Sequence, residues 1–297
     1  MVRNWVVTLL GREDVGGAEN DAHRIMKEQG LEFDHGFTPE RIPDASYTHV
    51  RLHGYGSGVD AEAMRVELAR VAEDRQVDVV LQPESELKRE RRLFVFDMDS
   101  TLIQGETIDE LARLAGVGEK VAAITTSAMR GEIDFQESFR RRVRLLKGLR
   151  ETEIVKVIDR LPLMDGAERL FRELKVRGKK TAVFSGGFVF LGRLVQERLG
   201  IDYLEANVLD VADGVVTGEV RGAIVDGARK RALLEEVSGR EGIALDDAVA
   251  VGDGANDLPM LRIAGVGVAF HAKPVVRAEA RVAMTHVGLD GLLEIVN

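Results

Sequence analysis

Leu93-Phe94-Val95-Phe96-Asp97-Met98-Asp99-Ser100-Thr101 decides the reading of this chain. Four apolar residues run straight into an aspartate, a second aspartate stands two positions on, and two hydroxyl residues follow. A run rich in Phe and Val is predicted to be a strand buried on both faces, as in a parallel sheet covered by helices. Carboxylates at its carboxyl end stand where open α/β sheets hold their ligands. Two carboxylates this close in a cleft repel unless a cation or a shared proton relieves them. The other reading is a strand closed by an ordinary Asp-Ser turn, and the rest of the chain must decide between them.

Towards the C-terminus, strand candidates at 93–96, 180–184, 248–251, 266–270 and 282–285 alternate with helical patterns at 167–176, 189–199, 229–238 and 256–263. This alternation predicts an α/β fold with a Rossmann-like, mostly parallel sheet and helices on both faces. Residues 203–220, with Asp213-Gly214 between two alternating runs, read as a β-hairpin. The stretch 107–161 breaks the alternation. Ile108, Leu111, Ala112 and Ala115 share one helical face, Phe139, Val143 and Leu146 another, and no strand is evident. A helical insertion directly after the Asp-bearing strand is expected to cap the site.

Towards the N-terminus, residues 1–84 read as βαββαβ. Strands are expected at 5–10, 33–42, 47–53 and 77–82, with helices at 18–29 and 61–72. That order is the ferredoxin-like α+β plan. The charged run Glu84-Ser85-Glu86-Leu87-Lys88-Arg89-Glu90-Arg91-Arg92 follows. Residues 85–92 are therefore expected to be a linker, solvated or on a helix face, with 93–297 as a second domain.

Composition sets the bounds. In 297 residues, hydrophobic content is 45% and charged content 31%, an ordinary globular balance. The net charge of −9 argues against non-specific nucleic-acid binding. There is no cysteine, which excludes disulfides and thiolate metal sites and fits a reducing cytoplasm. Residues 1–5 lack the apolar core of a signal peptide, and no apolar run is long enough to span a membrane. A cytoplasmic enzyme with neither a nucleic-acid nor a membrane partner is expected.

Three further motifs fall at predicted strand ends. Ser185-Gly186-Gly187-Phe188 offers a hydroxyl and backbone N–H groups at a helix start, either an anion site or a plain turn capped by Ser. Gly252-Asp253-Gly254-Ala255-Asn256-Asp257 offers hard carboxylate oxygens suited to Mg²⁺, on a backbone that a ligand can approach closely. Lys230 opens a predicted helix, where a lysine ordinarily faces solvent. Together they supply what phosphoryl transfer needs: a nucleophile, an acid/base, a metal carboxylate, a hydroxyl and a fixed cation.

Asp97-Met98-Asp99-Ser100-Thr101, Glu106, Arg142, Ser185-Gly186-Gly187-Phe188, Lys230 and Gly252-Asp253-Gly254-Ala255-Asn256-Asp257 resemble, in order, the motifs of the haloacid dehalogenase-like phosphatases. Within that superfamily the likeness is closest to the phosphoserine phosphatases, and it covers about residues 93–290. The resemblance implies Mg²⁺-dependent hydrolysis of O-phospho-L-serine, the last step of serine biosynthesis. It makes Asp97 the nucleophile and Asp99 the acid/base. Asp97, Asp99 (through its backbone carbonyl) and Asp253 would hold the metal, with Asp257 supporting them. Ser185, Gly186, Lys230 and Asn256 would take the phosphate. Glu106 would pair with the substrate ammonium, Arg142 would grip its carboxylate, and Met129 and Phe135 would form an apolar lid. From the residues alone, Glu106 reads equally as a helix-dipole acid and Met129 and Phe135 as core. Arg142, among Arg140, Arg141 and Arg144, reads equally as part of a solvated basic face. None of the six histidines falls in a motif.

Residues 1–84 resemble an ACT domain, which implies an amino-acid effector or homodimerisation. The turn Arg12-Glu13-Asp14-Val15-Gly16-Gly17 lacks the proline common in that family. Two alternatives to hydrolysis are transfer of the phosphoryl group to homoserine and a catalytically dead amino-acid sensor.

Overall fold

A computed structural model describes residues 3–13, 15–33, 40, 41, 45 and 47–296. The elements run β1 (Arg3–Gly11), α1 (Gly16–Glu28), β2 (Glu32–Phe33), β3 (Glu40–Arg41), β4 (Thr48–Gly56), α2 (Ala61–Arg75), β5 (Asp78–Pro83) and α3 (Glu84–Leu87). Next come β6 (Leu93–Phe96), α4 (Thr107–Leu114), α5 (Gly118–Met129), α6 (Phe135–Leu145), α7 (Glu151–Ile154) and α8 (Ala167–Val176). Then follow β7 (Lys180–Phe188), α9 (Val189–Leu199), β8 (Tyr203–Ala212), β9 (Val215–Arg221), α10 (Gly227–Glu241), β10 (Ala248–Gly252), α11 (Leu258–Ile263), β11 (Val266–Phe270), α12 (Pro274–Glu279) and β12 (Val282–Met284). No described helix is long and apolar enough to cross a membrane.

The larger sheet runs β12-β11-β10-β6-β7-β8-β9, parallel except for the β8–β9 hairpin. The alternation along β6 explains why it is central. Phe94 and Phe96 enter one core with Leu170, Phe171 and Leu191, whereas Leu93 and Val95 enter the other with Leu233, Leu234 and Met260. Both faces of the strand are thus dry, as its unbroken apolar run requires. Truncating either Phe to Ala should cost about 3–5 kcal/mol. Because β10 and β7 flank β6 in parallel register, three strands end side by side, and each delivers one of the motifs. The hairpin turns at Asp213 and Gly214, both at positive φ, as a two-residue turn between twisted strands demands. From Thr107 to Arg160 the chain is helical, as its pattern predicts, ending in a 3₁₀ segment, Val155–Arg160.

In the N-terminal sheet, β1 lies between β4 and β5, antiparallel to both. Trp5, Val7 and Leu9 pack on α1 and α2 through Ala22, Met26, Met64 and Leu68. Most of the strand expected over 33–42 lies outside the described residues; Glu32–Phe33 and Glu40–Arg41 both pair with β4. The opposite face of this sheet is not exposed. Leu10, Tyr47 and Val80 share a core with Leu292, Leu293, Ile295 and Val296 at the C-terminal end of the chain. The buried Asp78 carboxylate accepts backbone N–H bonds from Thr285, His286 and Val287 at 2.6–3.2 Å. Burial nonetheless lifts the Asp78 carboxyl above its ordinary range, against the pull of those N–H groups.

Within the charged run 84–92, one residue is not solvated. Arg91 is only 1% exposed. Its guanidinium bonds the Asp246 carbonyl and, at 2.6 Å, the Glu86 carboxylate. Arg89 bonds Asp247 at 2.8 Å. A guanidinium paired with a carboxylate and a carbonyl can be buried where charge counting predicts solvent.

Candidate active site

Asp97 lies just beyond β6, Ser185 near the end of β7 and Asp253 just beyond β10, so neighbouring strands bring the three together. One Asp97 oxygen, Oδ1, accepts the Met98 N–H at 2.7 Å and lies 2.7 Å from Lys230 Nζ. Lys230 also reaches Asp257 Oδ1 at 2.6 Å, and the Gly254 N–H donates to Asp257 Oδ2 at 3.0 Å. Lys230 is fully buried, contrary to the usual solvent-facing lysine at a helix start. Asp226 caps that helix by accepting the Arg229 N–H at 2.9 Å. Burial alone would lower the Lys230 pKa, but Asp257 and Asp97 beside it outweigh that and hold it above its ordinary value.

Carboxylate oxygens of Asp97, Asp253 and Asp257 lie within 4.8 Å of one another, all on buried residues. Burial, then the neighbouring Asp257 charge, raises Asp97 well above its ordinary value. The same two causes bring Asp253 to about 7. An added Cβ at Gly252 would sit 2.5 Å from Asp257 Oδ2, so the turn tolerates no side chain there. Hard oxygen donors, packed tightly enough to repel, fit a small divalent cation.

Asp99 is oriented by a residue that the sequence reading missed. Thr107, the first residue of α4, donates its N–H to Asp99 Oδ1 at 3.1 Å, and its hydroxyl to the same oxygen. A Thr at a helix start was the available signal. Burial, then the Glu106 charge, raises Asp99 to about 7. Ser100, in the left-handed region with φ 58°, donates its hydroxyl to Glu106 Oε1 at 2.8 Å. Glu106 is thereby held beside the two catalytic candidates instead of merely decorating a helix.

The cap supplies the opposite wall. Phe135 stands directly over the Ser185–Gly187 turn: a Cβ added to Gly186 would lie 3.3 Å from its ring. Its ring stacks on Phe139 at 6.2 Å, and Phe139 meets Phe188 at 5.8 Å. Arg142 lies one helical turn beyond Phe139, partly buried; burial lowers its pKa, opposed by Glu106, Asp109 and Asp99. It therefore lies within reach of those acidic groups and not on a solvated face. Met129, the other lid residue read from the sequence, ends α5 with 70% of its surface exposed. Val121, two turns earlier, is the one fully buried residue of α5. Asn256 is half-buried on the same turn as Asp253.

A model of the haloacid dehalogenase-like hydrolases matches residues 91–265. The chain belongs to the haloacid dehalogenase-like hydrolases. Among its relatives, this hydrolase is 42% identical to a phosphoserine phosphatase of Streptomyces coelicolor over 288 residues, which is 97% of the chain and 69% of that protein. A solved haloacid dehalogenase family hydrolase from Salmonella enterica serovar Typhi superposes with a TM-score of 0.88 at 30% identity, covering 99% of this hydrolase and 98% of that one. The solved phospho-aspartyl intermediate analogue of a phosphoserine phosphatase superposes with a TM-score of 0.67 at 44% identity, over 70% of this chain and all of that one.

Proposed function

We propose that the protein is a Mg²⁺-dependent phosphatase that hydrolyses O-phospho-L-serine to L-serine and phosphate, the last step of serine biosynthesis. The observation that carries this reading is one pocket wall bearing a carboxylate pair and a buried lysine, faced by Glu106 and the partly buried Arg142. The first set handles a phosphoryl group. The second matches the ammonium and carboxylate of an amino acid.

Asp97 attacks phosphorus, forming a carboxylate oxygen–phosphorus bond as the bond to the serine oxygen breaks. Asp99, whose pKa of about 7 allows it to carry a proton at neutral pH, delivers that proton to the departing oxygen. It then takes a proton from the water that cleaves the aspartyl-phosphate, which frees Asp97 and phosphate. Lys230 and the Ser185 hydroxyl hold the equatorial oxygens, with Gly186 N–H and Asn256 beside them. Asp97, the Asp99 carbonyl and Asp253 would hold Mg²⁺, with Asp257 behind them; the ion would neutralise charge on the phosphoryl oxygens. Phe135 excludes water above the turn.

Residues 1–84 would form an ACT-like unit that binds an amino-acid effector or pairs two copies, with 85–92 connecting it to a catalytic domain at 93–297 in a cytoplasmic enzyme. Incubation of the purified protein with phosphoserine and Mg²⁺ tests the function, with Asp97→Asn as control. Release of phosphate by the wild type alone supports it, and equal release by both would sink it. Homoserine added to the same mixture separates hydrolysis from transfer, because only transfer yields a phosphorylated acceptor.

A further inference from the structure

Asn207 has no part in the chemistry above, yet it is 2% exposed and both halves of its carboxamide are engaged. It sits on β8, where the ladder to β7 slips between Ser185 and Phe188. At that slip its Nδ2 donates to the Gly186 carbonyl at 2.8 Å. Its Oδ1 accepts the Val225 N–H at 2.9 Å. The two partners leave no choice in how the amide faces, since one offers only an acceptor and the other only a donor.

The Gly186 carbonyl and the Gly187 N–H belong to one planar trans peptide, so they point to opposite sides. Holding the carbonyl on Asn207 aims the Gly187 N–H the other way, where it donates to Ser185 Oγ at 2.8 Å. One lone pair of the Ser185 hydroxyl is thereby occupied, and its hydrogen is left to donate elsewhere. On the other side, Val225 immediately precedes Asp226, whose cap begins the helix that carries Lys230. One buried amide therefore spans the two segments bearing the hydroxyl and the ammonium. The Val225 carbonyl lies 3.6 Å from where a Gly186 Cβ would be, so the segments meet face to face.

We propose that Asn207 is a positioning residue for the phosphate pocket: it fixes the distance and orientation between the Ser185–Gly187 turn and the start of the Lys230 helix. This rests on the reading of that pocket as the phosphate site. Asn207→Asp keeps the shape and the acceptor for Val225 but replaces the donor to Gly186 with a repelling oxygen. Asn207→Ser is a smaller change that keeps the protein testable if the buried charge prevents folding. Binding of inorganic phosphate, measured by calorimetry at saturating Mg²⁺, should weaken tenfold or more in both variants. Binding of Mg²⁺ alone should stay within twofold, because its carboxylates lie on other strand ends. Such a split is not produced by general loosening of the fold. Phosphate affinity equal to wild type in a folded variant, or equal loss of phosphate and Mg²⁺ binding, would overturn the proposal. A wild type that binds no phosphate at all would overturn the pocket reading instead.

Discussion

The two walls of the pocket are held in different ways. The strand-end wall rests on three parallel strands, and its charges are buried and bonded to one another: Lys230 lies between Asp97 and Asp257, and Asp99 is clamped by Thr107. The cap wall is one helix with unequal ends. Beyond its C-terminal end, Gly148, Leu149 and Glu151 exchange three backbone hydrogen bonds with β9 and the turn before it, at residues 214–216, each 2.9 Å. Among the described residues, its N-terminal half meets the core through Phe135, Phe139 and one side-chain hydrogen bond, Gln136 Nε2 to Asp226 Oδ2 at 2.7 Å. A wall that must bear charge in the transition state has to be preorganised, whereas a wall that must admit and release substrate has to yield. The end of α6 nearest the Ser185–Gly187 turn is the one with fewer hydrogen bonds to the rest of the fold.

Substitutions should rank accordingly. Asp97→Asn, which removes the proposed nucleophile, should lower kcat by about 10⁴-fold or more in steady-state assays. Asp99→Asn should lower kcat by about 10²–10⁴-fold, with product release from phosphoserine as the readout. Across the pocket, Arg142→Lys should act on KM. Losing a forked, charge-assisted contact of about 1.5–3 kcal/mol should raise the KM for phosphoserine roughly 10- to 100-fold. A phosphate ester without a carboxylate should be indifferent to that change. An Arg142 variant that lost kcat and KM together for both esters would erase the distinction between the walls.

The strand-end wall also makes a claim about pH. Asp99 and Asp253 are raised from the usual carboxylate value to about 7 in the metal-free fold. The folded state therefore binds more protons than the unfolded one between about pH 4 and 7, so stability falls as pH rises through that window. Metal-free protein should lose several degrees of Tm between pH 5 and 8, and Mg²⁺ should restore more of it at pH 8. A Tm that rises over this range without metal would contradict the crowding of these carboxylates. The smallest effect is expected from Gln136→Ala at the N-terminal end of α6: about two- to fivefold in KM, as one exposed hydrogen bond allows.

Legibility followed the same division. The strand-end wall was readable because Asp97, Asp99, Ser185, Asp253 and Asp257 sit at fixed offsets from apolar runs, and a parallel sheet aligns those ends. Lys230 was readable only through resemblance, since nothing local distinguishes it from a solvated lysine. The cap was readable as helices but not in its aim: Phe135 and Met129 look alike as apolar helix residues, and one covers the site while the other is exposed. Arg91 and Asn207 escaped because each is a polar side chain buried by partners distant in the chain, at Asp246 and at Gly186 and Val225. The contact of the N-terminal sheet with residues 285–296 escaped for the same reason.

The most direct test is rapid acid quenching of the Mg²⁺-loaded enzyme during turnover of phosphoserine carrying a radioactive phosphoryl group, followed by proteolysis. Label on the peptide containing Asp97, stable in acid and released by hydroxylamine, is the expected result, and Asp97→Asn should abolish it. Phosphoserine hydrolysis with no covalent label, or with label that survives the Asp97→Asn change, would contradict nucleophilic catalysis by Asp97.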